Sequence, residues 1–246
     1  MAYQSPLITV MAKAASKAAV ALIRDYNEAD NLVSSMTGAA RFVEASRRRA
    51  GETIRRELAR ARPDFSFDEP ADGSRWIVSA LDGVSNLVHA IPHTSIAVAV
   101  EMTGEVVAGV VLDPLRDELF WAERGHGAFM HSRRLRVSRT RSLSGSVLAH
   151  GDGVPSALGI ARLLKRGPRL RCLGAPSLDL AWLASGRLDG YWADGADPDS
   201  LAAGTVLIQE AGGIITRLDG SPPGTAPSSV LAGNPGIHGH MLRSLA

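Results

Sequence analysis

The sequence predicts a mixed α/β (α+β) fold, built as two closely packed layered halves that meet near residue 140. Three observations predict it. Over the first sixty residues apolar positions recur at three- and four-residue spacing, the helical period. Residues 76–147 then break into short β-branched runs bounded by turn residues, the pattern of hairpin-linked strands. Beyond them helical and extended patterns alternate, which favours a covered, mainly parallel sheet. Residues 1–140 are therefore expected to hold helices and a largely antiparallel sheet, and residues 141–246 an α/β half with a mainly parallel sheet.

Composition bounds what such a chain does. Its 246 residues are 45% hydrophobic and 21% charged, ordinary values for a globular protein, and its formal charge of +2 is too small to imply nucleic-acid binding in bulk. Aromatic residues are scarce, so an aliphatic core is expected. Cys172 is the sole cysteine, which excludes an intrachain disulfide and fits a reducing compartment. In its apolar segment it reads as a buried, inert thiol. There is no uninterrupted run of 18 apolar residues to cross a bilayer and no signal-peptide layout at the N-terminus, so a cytoplasmic protein is expected.

The elements follow in order. Leu7, Met11, Ala14, Ala18 and Leu22 mark an amphipathic helix to about Tyr26. A second helix is expected over residues 45–61, with Ile54 and Leu58 turned inward and Pro63 just past its end. It is crowded with Arg47, Arg48, Arg49, Arg55, Arg56 and Arg60, balanced in part by Glu44, Glu52 and Glu57. That stripe reads as a solvated face, or alternatively as a contact for RNA or a protein partner. Strands are expected at residues 95–100, 106–112 and 118–121, then a tight corner over 125–130. In the second half, helices are expected at 156–165, 178–184 and 197–211, and from about 235. Short strands fall at 170–173, 191–192, 214–216 and 229–232. Asp197-Pro198 supplies an N-cap followed by proline in the first turn.

The chain is organised around residues 76–89, WIVSALDGVSNLVH. Here an apolar strand breaks at Ser79-Ala80-Leu81-Asp82-Gly83. A strand ending on Asp-Gly holds a carboxylate and bare backbone N–H groups at a cleft, although an isolated Asp-Gly is more often a plain turn. The stretch resembles the inositol monophosphatase signature W-[IV]-D-P-[IL]-D-G-T-T-N-F. Further matches are Gly127-Ala128-Phe129, Leu178-Asp179-Leu180-Ala181, Gly186-Arg187-Leu188-Asp189-Gly190-Tyr191, Glu210-Ala211-Gly212-Gly213 and Ala232-Gly233-Asn234. The resemblance implies a layered α-β-α-β-α sandwich, a homodimer and, in active members, a Mg²⁺-dependent phosphomonoesterase.

It also implies where the chemistry would sit. Active members hold Mg²⁺ through a Gly-Glu-Glu, both signature Asp residues and the Asp of a P-W-D-x-A-A-G. In this chain Ser79 stands at the first signature Asp and Ser200 at the later one. Val84 replaces the Thr that helps orient the attacking water, and Arg47 replaces its Asp partner. Ala193 stands where the family has a substrate-contacting Glu. Asp82 alone survives as a ligand, with Asp68 and Glu69 as weak candidates in a shortened loop. Asp199, one residue before Ser200 and so about 100° away around a helix, is expected to point elsewhere. Gly83, Val84 and Ser85 remain as phosphate-binding candidates through their backbone.

Mg²⁺ requires hard, charged oxygen donors. A unit charge pair at about 4 Å is worth on the order of 4 kcal/mol at an effective dielectric of about 20, and a divalent ion doubles that. Losing two or three carboxylates therefore removes most of the metal affinity. The first expectation is a non-catalytic binding or regulatory protein with no cofactor, able at most to hold a phosphate or sugar phosphate weakly. The alternative is a residual Mg²⁺-dependent phosphomonoesterase acting on inositol 1-phosphate or a related sugar phosphate. For Arg47 two outcomes stand open: a guanidinium paired with Asp82 in place of the metal, or one that points to solvent.

Overall fold

In the computed structural model, residues 4–29, 36–68, 73–151, 157–224 and 229–245 are described. Two long helices open the chain, α1 (Pro6–Ala29) and α2 (Met36–Ala61). A six-stranded sheet follows: β1 (Ser74–Asp82), β2 (Ser95–Met102), β3 (Glu105–Asp113), β4 (Glu118–Glu123), β5 (Gly127–Met130) and β6 (Arg133–Arg134), with the short α3 (Val84–Val88) between β1 and β2. Its strands lie in sequence order and every pairing is antiparallel. The second half adds β7 (Val147–His150), α4 (Ala157–Leu164), β8 (Arg169–Arg171), α5 (Pro176–Ala184), β9 (Gly190–Asp194), α6 (Pro198–Glu210), β10 (Ile214–Thr216), β11 (Ser229–Gly233) and α7 (His238–Leu245).

The helices form where apolar spacing demands burial. Ile8, Met11, Ala15 and Leu22 of α1 pack with Val43, Ile54 and Leu58 of α2 against one face of the first sheet, on Trp76, Val98 and Val110. By length and composition α1 could cross a membrane, but this apolar face is spent in the core. The opposite face of the sheet, with Ile77, Ala97 and Phe120, meets α5 and α6 and, beyond them, Tyr191, Ala193 and Val230 of the second sheet. Helices α4 and α7 cover the remaining face through Leu163 and Met241, with Ile237 just before α7. The layers therefore run α-β-α-β-α.

Four expectations are corrected. α2 begins at Met36 rather than Ala45, because Ala39 and Val43 continue its buried stripe. β1 does not stop at Ser79 but runs to Asp82, its pairing with β2 shifting register between those two residues. The second sheet, in the order β10-β11-β9-β7-β8, is mixed rather than mainly parallel. β7 pairs in parallel with β8 and β9, whereas β11 inserts antiparallel between β9 and β10. Cys172 is exposed rather than buried, since it follows the short edge strand β8, where the sheet gives out.

Candidate functional site

β1 delivers Asp82 to the junction between the halves, where the chain must turn sharply into α3. Gly83 makes that turn at φ 82°. A side chain there would be strained and would also meet the His93 carbonyl, since an added Cβ would lie 2.7 Å from its oxygen. Asp82 is 8% exposed and its carboxylate is turned into the protein. Its Oδ1 accepts from the Gly83 N–H at 3.1 Å, and its Oδ2 accepts from both the N–H and the hydroxyl of Ser177, at 2.7 and 2.6 Å. The Ser177 hydroxyl also lies 2.8 Å from that of Ser95. With its own proton committed to an ionised Asp82, Ser177 accepts from Ser95.

Electrostatics at this carboxylate run against ionisation. Burial pushes Asp82 up to about 6 despite the Ser177 hydrogen bonds, and the nearby Asp179 charge adds to the rise. Asp179, fully buried at the start of α5, lies 2.8 Å from His93 Nε2. His93 stands edge-on to Trp182. The Asn86 amide donates to the carbonyls of His93 and Leu173, each at 2.7 Å. These bonds lock the β1–α3 turn to the entry of α5. Asn86–His93 aside, their partners lie 82 to 95 residues from one another, beyond the reach of any local sequence pattern. The one signal is Leu178-Asp179-Leu180-Ala181, which begins directly after Ser177.

The other candidates divide. Ser79 lies in β1, 8% exposed, opposite Ala97. Ser200 sits in the first turn of α6 and spends its hydroxyl on the Asp197 carbonyl at 2.7 Å. Asp199 is turned to the surface; partial burial and Asp197 raise its carboxyl above its ordinary range, against Arg75, Arg55 and Arg47. Ala193 is buried in β9. Asp68 is exposed in the turn before β1, whose main chain closes on the Ser66 hydroxyl. Glu69 lies outside the described residues. Arg47 lies within α2, not at its start, and is exposed. No ion pair joins it to Asp82; instead it lines a cleft of about 360 Å³ with Ala39, Val43, Val84, Ser85 and Val88. Of the three proposed phosphate-binding amides, that of Gly83 is already given to Asp82.

A Mg²⁺ ion takes near-octahedral oxygen coordination with carboxylates among the ligands. Among the described residues no three His, Cys, Asp or Glu side chains come together as a metal group. One oxygen of Asp82 already accepts two hydrogen bonds. The described residues at this turn do not by themselves fit the ion.

Three arginines of the α2 stripe have a partner. Arg49 pairs with buried Asp25 at 2.6 Å, Arg48 approaches Glu52 at 3.9 Å and Arg55 covers the Phe67 ring.

Comparison with known proteins agrees with this architecture. An inositol-1-monophosphatase of Mesorhizobium japonicum is 38% identical, with 98% of this chain and 97% of the relative covered. One from Rhizobium meliloti is 40% identical over 94% and 92%. The Nus factor SuhB of Escherichia coli is 31% identical over 98% and 96%. Among solved structures, the extragenic suppressor protein suhB of Bartonella henselae superposes with a TM-score of 0.88 at 36% identity, covering 99% of both chains. An inositol monophosphatase from Anabaena gives a TM-score of 0.85 at 30% identity, over 97% and 94%. The model of the inositol monophosphatase family matches residues 4–246, and the chain belongs to that family.

Proposed function

We propose that this protein is a non-catalytic member of its family, a binding or regulatory protein rather than a Mg²⁺-dependent phosphomonoesterase. One observation carries the reading. Asp82, the single retained carboxylate of the signature, is held by Ser177 and Gly83, while the positions that would complete an oxygen cage are Ser79 and Ser200. Serine hydroxyls are neutral and short, and do not replace the charge that binds a divalent ion. Val84 and Arg47 likewise leave no hydroxyl–carboxylate pair to orient a water. The cleft they line has an apolar wall, the Arg47 guanidinium, His89 and the Glu44 carboxylate, so it could hold a phosphorylated ligand only weakly. By family resemblance we assign a homodimer and a cytoplasmic setting.

Residual phosphatase activity is the second reading, favoured by 38–40% identity to proteins named as inositol-1-monophosphatases. Phosphate release from inositol 1-phosphate in millimolar Mg²⁺, with a thermal melt at each metal concentration, separates the two. The first reading expects no metal-dependent turnover and no metal-dependent rise in Tm. Turnover near 1 s⁻¹ or faster, within the ordinary enzyme range, selects the second. Ser79→Asp with Ser200→Asp should bring back a Mg²⁺-dependent rise in Tm if lost charge is the cause.

A further inference from the structure

We propose that the concavity between residues 138–141 and the turn into α7 is a phosphate-binding site, formed by Arg139, Arg141 and His240. Its ligand is a phosphate group carried by a nucleic-acid backbone or by a small phosphorylated molecule. It shares no residue with the Asp82 site or the Arg47 cleft, and stands whether or not the non-catalytic reading does.

The segment that supplies Arg139 and Arg141 is basic. Residues 131–171 contain ten of the 27 Lys and Arg residues and a single acid, Asp152, in a chain whose formal charge is only +2. Backbone bonds from Gly145 to the Gly167 carbonyl and from Arg169 to the Ser146 carbonyl, 3.0 and 2.8 Å, lace the two basic segments together. The concavity, about 640 Å³, is lined by no carboxylate. Arg139 and Arg141 are exposed, and neither has an ion pair among the described residues. The acid bonded to this segment is spent elsewhere: Asp189 accepts from the Ser138 hydroxyl at 2.5 Å and from the Val147 N–H at 2.7 Å.

The frame is preformed. Asn234 donates to Ser138 at 2.8 Å, while its Oδ1 accepts from the N–H groups of Gly236 and Ile237 at 2.8 and 3.0 Å. Those amides at the start of α7 are thus satisfied, and the cationic side chains carry the site. Gly236 permits the close approach, since a Cβ there would lie 2.9 Å from the Thr140 carbonyl oxygen. His240 is oriented by Arg243, whose guanidinium lies 3.1 Å from His240 Nδ1. A guanidinium only donates, so Nδ1 accepts and the ring proton sits on Nε2, making Nε2 a hydrogen-bond donor. Two guanidinium forks and an imidazole N–H match the acceptors of a phosphate.

Two titrations of the full chain test the proposal: a fluorescein-labelled single-stranded RNA by anisotropy, and inorganic phosphate by the NMR signal of the His240 ring. Anisotropy is read on wild type, Arg139→Ala/Arg141→Ala, His240→Gln and, as control, Lys13→Ala/Arg217→Ala; the NMR titration uses the same set without His240→Gln, and circular dichroism verifies folding. RNA binding that weakens about tenfold or more in the first variant, with a salt slope reduced by about 1.4, supports the proposal with a nucleic-acid source. Phosphate saturation lost in the same variant, without RNA binding, supports it with a small-molecule source. The control should match wild type. No binding of either probe overturns the proposal. So does binding that the first two variants leave unchanged while both remain folded.

Discussion

The Ser177 hydroxyl donates to the Asp82 carboxylate at 2.6 Å, and the Ser177 N–H donates to the same oxygen at 2.7 Å. A side chain from the entry of α5 thus compensates the carboxylate that ends β1. Ser177→Ala should lower stability by about 1.5–3 kcal/mol, the range for a hydrogen bond to a charged group in a buried setting. Urea unfolding at pH 7 measures it. A change below about 0.5 kcal/mol would mean that the backbone N–H alone suffices.

Asp82 should act as a pH-dependent liability. Its folded value of about 6 lies above its ordinary 3.8, so between these limits the folded state holds a proton that the unfolded state has lost. Stability from this group therefore falls as pH rises through that window, by on the order of 3 kcal/mol in all. Asp82→Asn should be neutral or stabilising at pH 7, with the advantage shrinking by about pH 4. Unfolding midpoints across that range test the sign.

The Asp25–Arg49 pair, at 2.6 Å between α1 and α2, should show the opposite trend. Burial pulls Asp25 upward, but the Ser46 hydroxyl and the Arg49 guanidinium outweigh it and hold the carboxyl below its usual range. Such a group stabilises above its unfolded value and loses that contribution as pH falls through the lower, folded value. Arg49→Ala should cost about 2 kcal/mol at pH 7, less than a fully buried pair because Arg49 is half exposed. The penalty should fade in acid once Asp25 is protonated, as chemical denaturation at neutral and acid pH will register.

Gly83→Ala places a Cβ at positive φ and against the His93 carbonyl oxygen. The expected loss is about 3 kcal/mol from the backbone strain and the contact together. Differential scanning calorimetry should show a clear fall in Tm. An unchanged Tm would mean that the β1–α3 turn adjusts without cost.

Arg47→Ala should change stability by no more than about 0.5 kcal/mol, as for an exposed side chain without a structural partner. A loss near 3–5 kcal/mol would instead reveal the buried pairing with Asp82 that the structure does not form. Urea denaturation of the single variant decides between them.

By itself the sequence determined the layered α/β framework, because helical and strand periodicities, Asp197-Pro198 and the Gly turns are local signals that agree with one another. It also located the Asp82-Gly83 turn, and the family resemblance marked Ser79 and Ser200 as serines at expected ligand positions. Tertiary structure alone decided the rest. Whether β11 would insert antiparallel beside β9 depends on how sheet edges meet, and neighbouring residues do not encode it. That Asp82 would be held by Ser177 rather than by Arg47 depends on two segments 95 residues apart closing on one another. For Arg47 the sequence leaves pairing with Asp82 and a solvent-facing side chain equally open, and α2 places it on an exposed face. A carboxylate is compensated by the donor that packing brings within hydrogen-bond reach, and packing is a property of the whole chain.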